Sequence, residues 1–400
     1  MKEKKADNKN KNKRLVRKPS IFLWYFLGSI FLLYFLCHIK VIKNKIKIRK
    51  GSLIIAPHRS YFDFVSIPYV TWPKRGHVVS TTYWYRNKKL GKLLDAIGVI
   101  PKDQYRPDVR AIRKINDCIK RGDIIYMFPE GQMSIDGRSL PLAPGLDKLI
   151  KRFKPNVYFV KTEGAYLSSP KWGPKFKRGT IKLTTELLIK TEDIDSMSLE
   201  SINNLVEDRF NSLDEFAFVR NHPDYVYKRK NKAEKIDKVI SICPKCHSQY
   251  VLESHGDVIS CSNCDFSVEL EKKSYNFKDN PYFKDLGELI DYDTKYFLDE
   301  IENGLSLEDD ARVGYYVKFD EIDCGNYHIK MNKETISLTN DKEQIIFDLN
   351  KVINFVVTLG VAFEIPTPEK TYRIYPTDGR HAVKYLEFIT SIKREKENKC

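Results

Sequence analysis

The residues best placed to do chemistry in this sequence are His58 and Asp63, which close the run His-Arg-Ser-Tyr-Phe-Asp at its two ends. A histidine beside a carboxylate can act as a general base. The carboxylate fixes the imidazole tautomer and stabilises the imidazolium that forms when the ring takes a proton. The same run could begin a helix, because Ser60 followed by Asp63 resembles a capping box. The two interpretations are compatible, since a capped turn would hold both side chains rigidly.

Two further segments follow along the chain. Residues 97–104 read Ile-Gly-Val-Ile-Pro-Lys-Asp-Gln, and residues 124–131 read Ile-Ile-Tyr-Met-Phe-Pro-Glu-Gly. Alone, the Phe-Pro-Glu-Gly stretch predicts only a turn at the end of a strand. The occurrence of this stretch after the histidine run, in that order, is more informative than either motif by itself.

In that order, the segments resemble the glycerolipid acyltransferase family, that is, lysophosphatidic-acid acyltransferase-like (PlsC-type) enzymes. The resemblance covers roughly residues 40–190. It implies that His58 is the general base, that Asp63 orients it, and that Glu130 and Gly131 help to bind the acceptor. The implied reaction moves a fatty acyl group from acyl-CoA or acyl-carrier protein to a lysophospholipid such as 1-acyl-glycerol-3-phosphate, without a catalytic metal.

The segments depart from the family pattern where the acceptor's phosphate is normally held. Gln104 stands at an arginine position, and Lys102 and Arg106 are the nearby cations that could replace its charge. Gln132-Met133 replaces a Thr-Arg pair, and Arg138 is a substitute cation. Arginine holds phosphate bidentately and lysine only as a point charge, so the acceptor site is expected to be altered.

Four of the eight cysteines form two C-x-x-C pairs separated by fourteen residues: Cys243, Cys246, Cys261 and Cys264. This spacing predicts a zinc ribbon with a structural zinc, because four thiolates close the metal's shell and leave no position for water. The other cysteines are scattered, which argues against a secreted disulfide framework and favours an intracellular chain.

An apolar segment, Ile21 to Cys37, lies between two basic segments. Residues 1–50 hold fifteen Lys and Arg against Glu3 and Asp7, so +13 of the net charge of +16 sits there. This distribution favours a membrane surface and argues against a nucleic-acid partner. The segment is slightly short for a bilayer span of about 20 residues. We expect an anchor in one leaflet with the active site on the cytoplasmic face, and a transmembrane helix is the alternative.

The elements that must position these residues alternate between strands and helices, which predicts an α/β layered acyltransferase domain. Short strands from residue 313 onward, closed by a helix from His381, predict a β-rich and possibly pleckstrin-homology-like barrel. The predicted domains are a basic disordered tail (1–20), a membrane-anchoring helix (21–42), the acyltransferase domain (43–225), a linker with the zinc ribbon (226–270), a helical connector (271–310) and the β-rich domain (311–400).

Two functions are open at this point. The first is a membrane-bound acyltransferase, which the presence of His58, Asp63 and Glu130 favours. The alternative is a catalytically weakened scaffold that recruits partners through the zinc ribbon and the C-terminal domain, which the altered acceptor segments favour. The sequence indicates no oligomeric state.

Overall fold

The computed structural model describes residues 16–173, 178–228, 230–317 and 320–398, with only the backbone described from 394 onward. Most of the predicted basic tail therefore lies outside the described residues. The chain divides into two compact units. The first comprises residues 1–131, 142–165 and 180–214, and the second comprises 132–141, 166–179 and 215–400. The units do not follow chain order, because three stretches of the predicted acyltransferase domain, 132–141, 166–179 and 215–225, belong to the second unit.

The first unit contains a seven-stranded sheet with the order β1-β7-β6-β2-β5-β3-β4. Its strands are β1 (Ile39–Lys43), β2 (Ser52–Ile55), β3 (Gly76–Thr81), β4 (Ile100–Lys102), β5 (Ile124–Met127), β6 (Asn156–Glu163) and β7 (Gly179–Ile189). The inner strands pair in parallel, and β7 runs antiparallel to β6. The α/β class predicted from the sequence is confirmed.

Helices cover the sheet. They are α1 (Gly28–His38), α2 (Asp63–Tyr69), α3 (Lys88–Ala96), α4 (Val109–Lys120), α5 (Leu146–Phe153) and, after the short α6 (Ala165–Ser168) at which the chain passes into the second unit, α7 (Leu199–Asn211). Both faces of the sheet are buried: Leu53 and Ile55 of β2 join one apolar cluster, and Ile54 joins the other. This explains why β2 and β5 are continuous apolar runs without alternation.

The N-terminal apolar segment is helical. A π-helical stretch, Leu23–Leu27, leads directly into α1. One side of this helix packs on the first unit, where the rings of Phe35 and Phe62 lie 5.3 Å apart. Its other side leaves large apolar side chains exposed. Within the part of the chain that is described, no helix combines the length and the apolar character needed to cross a membrane.

The second unit contains a small ribbon and a larger sheet. The ribbon strands are β8 (Leu252–His255), β9 (Val258–Cys261) and β10 (Ser267–Glu269), all antiparallel. The larger sheet has the order β14-β13-β12-β11-β17-β16-β15. Its strands are β11 (Leu307–Val317), β12 (Asp320–Met331), β13 (Thr335–Thr339), β14 (Gln344–Asp348), β15 (Val356–Thr358), β16 (Ala362–Pro366) and β17 (Thr371–Pro376).

Strand β11 organises this larger sheet, because it pairs with both β12 and β17 and is irregular between Val313 and Gly314. The helices of the unit are α8 (Glu215–Arg220), α9 (Leu286–Glu302) and α10 (Ala382–Asn398). Helix α10 packs on the sheet, and the ring of Tyr385 stacks on Phe363 at 4.4 Å. The prediction of a β-rich C-terminal region with a closing helix is confirmed. Strand β15 is the shortest strand of this sheet and covers only three residues.

Candidate active site

Two neighbouring parallel strands deliver the predicted catalytic segments to one edge of the sheet. Strand β2 pairs with β5 so that Ile55 lies opposite Met127. His58 follows the end of β2 by three residues, and Glu130 follows the end of β5 by three residues. Carboxyl ends of parallel strands in such sheets are the usual place for a ligand site. The topology therefore brings together two segments that are far apart in sequence.

His58 and Asp63 form the hydrogen-bonded pair that the sequence predicts. The imidazole Nδ1 lies 2.8 Å from Oδ2 of Asp63, whose side chain is fully buried, while the side chain of His58 is 30% exposed. The same carboxylate oxygen accepts hydrogen bonds from the backbone N–H groups of Arg59 at 2.7 Å and Ser60 at 2.8 Å. Asp63 thus caps the turn and orients the imidazole at once, as the two compatible interpretations required.

The third segment, residues 124–131, contacts both the ring and the backbone of His58. The ring of Phe128 stacks on His58 with 4.7 Å between the centroids. The carboxylate of Glu130 is fully buried, and its Oε2 accepts a hydrogen bond from the backbone N–H of His58 at 2.7 Å. Glu130 was predicted to bind the acceptor. Its geometry gives it a positioning role, and acceptor binding by Glu130 stays a prediction.

The second segment closes around the Glu130-Gly131 turn. The amide Nε2 of Gln104 donates to the carbonyl of Gly131 at 2.7 Å, and its Oε1 accepts from the hydroxyl of Thr81 at 3.0 Å. The hydroxyl of Tyr105 donates to the carbonyl of Glu130 at 2.7 Å. Gly131 has φ +76°, and a Cβ there would lie 2.9 Å from the Tyr105 ring. Gln104 therefore holds the turn in place, a role that its position in the sequence did not predict.

The cations predicted near the acceptor differ in their surroundings. Lys102 is half-buried, and burial lowers the pKa of its ammonium group although Asp108 and Asp103 oppose the effect. Its Nζ donates to the carbonyl of Asp103 at 3.0 Å. Arg106 is half-buried in the loop that joins β4 to α4. Phosphate binding by Lys102 and Arg106 stays a prediction.

Arg138 belongs to the second unit. There its guanidinium pairs with the carboxylate of Asp291 and lies over the ring of Phe216, 5.5 Å from the centroid. These contacts give Arg138 a structural task that the sequence did not reveal, because Asp291 is remote in the chain. Its predicted role in acceptor binding stays a prediction.

Comparison with known proteins adds to this geometry. A family model described as Acyltransferase matches residues 38–161. That segment is an acyltransferase domain. The family resemblance carried by the His58, Gln104 and Glu130 segments is therefore confirmed.

Two relatives of the acyltransferase domain are named 1-acyl-sn-glycerol-3-phosphate acyltransferase. The protein of Streptococcus pneumoniae is 27% identical over 30% of this chain and 48% of its own length. That of Bacillus subtilis is 23% identical over 35% of this chain and 68% of its own length. The match thus spans about half of the pneumococcal protein.

The chain is also similar in structure to the 1-acyl-sn-glycerophosphate acyltransferase PlsC of Thermotoga maritima. The match has 18% sequence identity and a TM-score of 0.41, and it covers 48% of this chain and 77% of the other.

Outside the acyltransferase domain, the four predicted metal ligands come together in the second unit. The sulfurs of Cys243 and Cys264 lie 3.7 Å apart, and those of Cys246 and Cys261 lie 3.8 Å apart. All four sulfurs lie within 4.8 Å of one another. A zinc–sulfur bond of about 2.3 Å in a tetrahedron predicts sulfurs about 3.8 Å apart, so this donor set fits a four-thiolate site.

The surroundings of the four cysteines also suit a metal. The backbone N–H of Asn263 donates to Cys261 at 3.3 Å, and its side-chain amide donates to Cys246 at 3.7 Å. Such hydrogen bonds stabilise thiolate ligands.

The chain just before the first C-x-x-C pair is held by helix α9. Asp293 of α9 accepts hydrogen bonds from the backbone N–H groups of Ser241 and Ile242, both at 2.7 Å. Helix α9 thereby holds the segment that leads into the first C-x-x-C pair.

A second group of possible ligands, His77, Cys118 and Asp123, lies in the first unit and was missed by sequence reasoning. Arg121 stands among them: its guanidinium donates to Asp123 at 2.5 Å and to Cys118 at 3.5 Å, with His77 3.3 Å away. A fixed positive charge at this place opposes a cation. We interpret the group as an ion-pair cluster, which also holds Lys18 through Asp123 at 3.4 Å.

Proposed function

We propose that this protein is a membrane-associated O-acyltransferase that moves a fatty acyl group from a thioester carrier to a lysophospholipid hydroxyl. The single observation that carries the proposal is the pair of His58 and Asp63. One side of the imidazole is fixed by a buried carboxylate, and the side chain stays partly exposed. A general base needs this combination of orientation and access. The pair favours an enzyme over the scaffold alternative.

The reaction follows from the same geometry. With Nδ1–H held by Asp63, the unprotonated Nε2 of His58 can accept the proton of the acceptor hydroxyl. The hydroxyl oxygen then attacks the thioester carbonyl and forms the new C–O bond. Collapse of the tetrahedral intermediate breaks the C–S bond, and the leaving thiolate takes the proton back from the imidazolium. Atoms and charges balance without a metal or a redox cofactor.

The acceptor and the donor follow by class from the relatives. Both curated relatives are named for 1-acyl-sn-glycerol-3-phosphate, which makes this lysophospholipid the first acceptor to test. The donor is acyl-CoA or acyl-carrier protein. Because Gln104 holds the Gly131 turn and carries no charge, any phosphate on the acceptor would rely on other cations such as Lys102.

The proposed location is a membrane surface, with the site on the cytoplasmic face where thioester carriers are found. Charge supports this placement: the first unit holds 37 Lys and Arg against 19 Asp and Glu, a net +18, whereas the second holds 32 against 34. The exposed side of the N-terminal helix supports it too. Large apolar residues between Ile21 and Leu36 are 38–66% exposed there. A one-leaflet anchor would bury them.

For the second unit, we propose that the four cysteines hold one structural zinc. Zinc would supply folding energy to the ribbon and would take no part in acyl transfer, because all four positions around it are thiolates.

The test is acyl transfer by the purified full chain on lipid vesicles, followed by mass spectrometry. His58→Ala should lower the rate ~10²–10⁴-fold, and Asp63→Asn should have an effect of similar size because the imidazole loses its orientation. His255→Ala is the matched control, since its side chain is 81% exposed in the second unit. Wild-type rates in both site variants, with their fold intact by circular dichroism, would refute the proposed base.

A further inference from the structure

A group of aromatic and basic side chains outside the catalytic segments is exposed on the first unit. They lie on a 3₁₀ helix, Thr82–Arg86, and on α3, which follows it directly. Tyr83 is 41% exposed, Trp84 49% and Leu93 41%. The rings of Tyr83 and Trp84 contact each other edge to face at 5.3 Å. Grouped aromatic exposure of this kind usually marks an interaction surface.

The charge of this surface is mainly positive, and Asp95 near the end of α3 is its exposed acidic neighbour. Lys88, Lys89 and Lys92 are exposed together with Leu93. Their spacing places them on one side of α3, opposite Gly91, which packs toward Tyr85. The sequence from Thr82 to Leu94 contains no acidic residue. We call the set of Tyr83, Trp84, Lys88, Lys89, Lys92 and Leu93 the tryptophan surface.

The tryptophan surface is built on a fixed turn. The side chain of Asn87 caps α3 by accepting from the backbone N–H groups of Lys89 at 3.0 Å and Leu90 at 3.1 Å. The hydroxyl of Tyr85 donates to Asp95 at 3.3 Å, which ties the 3₁₀ helix to the end of α3. The backbone that carries Tyr83 and Trp84 is therefore held against α3.

This surface adjoins the N-terminal helix. The backbone N–H of Ser20, where that helix begins, donates to the carbonyl of Ala96 at the end of α3 at 2.9 Å. Pro19 lies against Gly98, where an added Cβ would meet it at 2.9 Å. The end of α3, which carries part of the tryptophan surface, is thus attached to the start of the apolar helix that we propose to enter the membrane.

We propose that the tryptophan surface is a second membrane contact, which sits at the headgroup level of an anionic leaflet. Tyr83 and Trp84 match the position that amphipathic rings take at a membrane interface, and the three lysines match anionic headgroups. Leu93 adds apolar area at the acyl boundary. Two contacts at different places would fix the rotation of the first unit about the helix, and so the direction in which the His58 site faces. The inference rests on the proposed membrane location and is independent of acyl transfer.

Trp84 reports on its own position. Full-length protein and the Trp84→Phe variant are bound to vesicles that contain phosphatidylglycerol and lipids brominated at shallow or deep chain positions. The difference between the two proteins isolates Trp84 from Trp24, Trp72 and Trp172. We expect the fluorescence emission of Trp84, obtained as this difference, to shift to shorter wavelength on binding. We also expect lipids brominated at shallow positions to quench it more than lipids brominated at deep positions. A difference signal that neither label quenches overturns the proposal.

Charge is tested with a matched pair of triple variants. Lys88→Gln, Lys89→Gln and Lys92→Gln together should weaken binding to phosphatidylglycerol vesicles roughly tenfold to a hundredfold, with little effect on neutral vesicles. The control, Lys120→Gln, Arg152→Gln and Lys190→Gln, removes the same charge from exposed positions elsewhere in the first unit.

Equal losses in the two triple variants would overturn the proposal, because they would show a general effect of net charge. The proposal would also be overturned if the lysine triple variant bound vesicles normally but transferred acyl groups more slowly from acyl-carrier protein and not from acyl-CoA. That result would assign the tryptophan surface to the acidic carrier. Failure of the proposed acyl transfer would leave every vesicle measurement unaffected, so the two failures are distinguishable.

Discussion

The carboxylate of Glu130 accepts a hydrogen bond from the backbone N–H of His58 at 2.7 Å, which joins the segments that leave two neighbouring parallel strands. Through this bond, Glu130 helps to set the position of His58, the proposed base, by holding its backbone rather than its imidazole ring. Glu130 therefore acts on His58 as a positioning residue.

Replacing Glu130 tests this role. Glu130→Ala should lower kcat roughly tenfold or more and should lower the free energy of unfolding by about 1–3 kcal/mol, because the backbone N–H of His58 loses its hydrogen-bond acceptor. Glu130→Gln keeps an acceptor oxygen and should lose less stability. Steady-state kinetics and urea unfolding give both quantities. A raised KM for the acceptor with an unchanged kcat would instead support the predicted role of Glu130 in acceptor binding.

One side of the N-terminal helix packs against the rest of the first unit, and we propose that the other side contacts lipid. Changing Phe22, Phe31 and Leu33 to serine should release the protein from vesicles and leave its unfolding midpoint within a few degrees, since all three are more than half exposed. Phe35→Ala is the counterpart, because Phe35 is fully buried and should lose about 3–5 kcal/mol of stability. Flotation and thermal unfolding separate the two effects. Undiminished flotation of the triple variant would contradict the anchor.

Acid should weaken the ion-pair cluster around Asp123. Burial works against ionisation of this carboxyl, but hydrogen bonds from His77 and Arg121 outweigh it and lower the pKa of Asp123 to about 2. A folded-state pKa below the unfolded value stabilises the fold above about pH 4, and this contribution is lost as pH falls toward 2. Asp123→Asn should cost about 1–2 kcal/mol at neutral pH. The difference between wild type and variant should shrink between pH 4 and 2. A difference that stays constant over that range would exclude the linkage.

Metal removal should act locally. Changing Cys243 and Cys261 to serine, or adding a strong zinc chelator, should unfold roughly residues 240–268 while the acyltransferase domain stays folded. Folding of such ribbons is coupled to the metal, with apparent binding energies of ~10–16 kcal/mol in isolated zinc peptides. Metal analysis of protein purified without chelator should give about one zinc per chain, and limited proteolysis should show new cuts only in the ribbon. A zinc content far below one would contradict the site.

Much of this could be predicted because the signals are local. The apolar runs of β2 and β5 indicate buried strands, and the spacing of Val109, Ile112, Ile115 and Ile119 indicates α4, whose N-cap is the Asp108 side chain. The pairing of His58 with Asp63 spans five residues and follows from one turn. The four cysteines were predicted as one group because metal ligands follow known spacings.

The rest depends on contacts between residues that are remote in sequence. Neither the bond from His58 to Glu130 nor that from Gln104 to Gly131 has a signature in its own segment, since a buried carboxylate and a substrate-binding one look the same in a sequence. The pairing of Arg138 with Asp291 joins residues 153 positions apart. The cluster of His77, Cys118 and Asp123 likewise arises only when α4 packs on the sheet.

The assignment of residues 132–141 to the second unit has a consequence for synthesis. Within that unit, the Gln132 side chain donates to the carbonyl of Phe355 at 2.7 Å, a partner 223 positions later in the chain. A ribosome exposes the N-terminal helix and His58 long before it makes Phe355. The segment 132–141 can therefore form its contact with Phe355 only after most of the chain has been synthesised. A fragment that stops near residue 225 would lack this contact altogether. Expression of the acyltransferase segment alone should give a protein that is cleaved readily within 132–141.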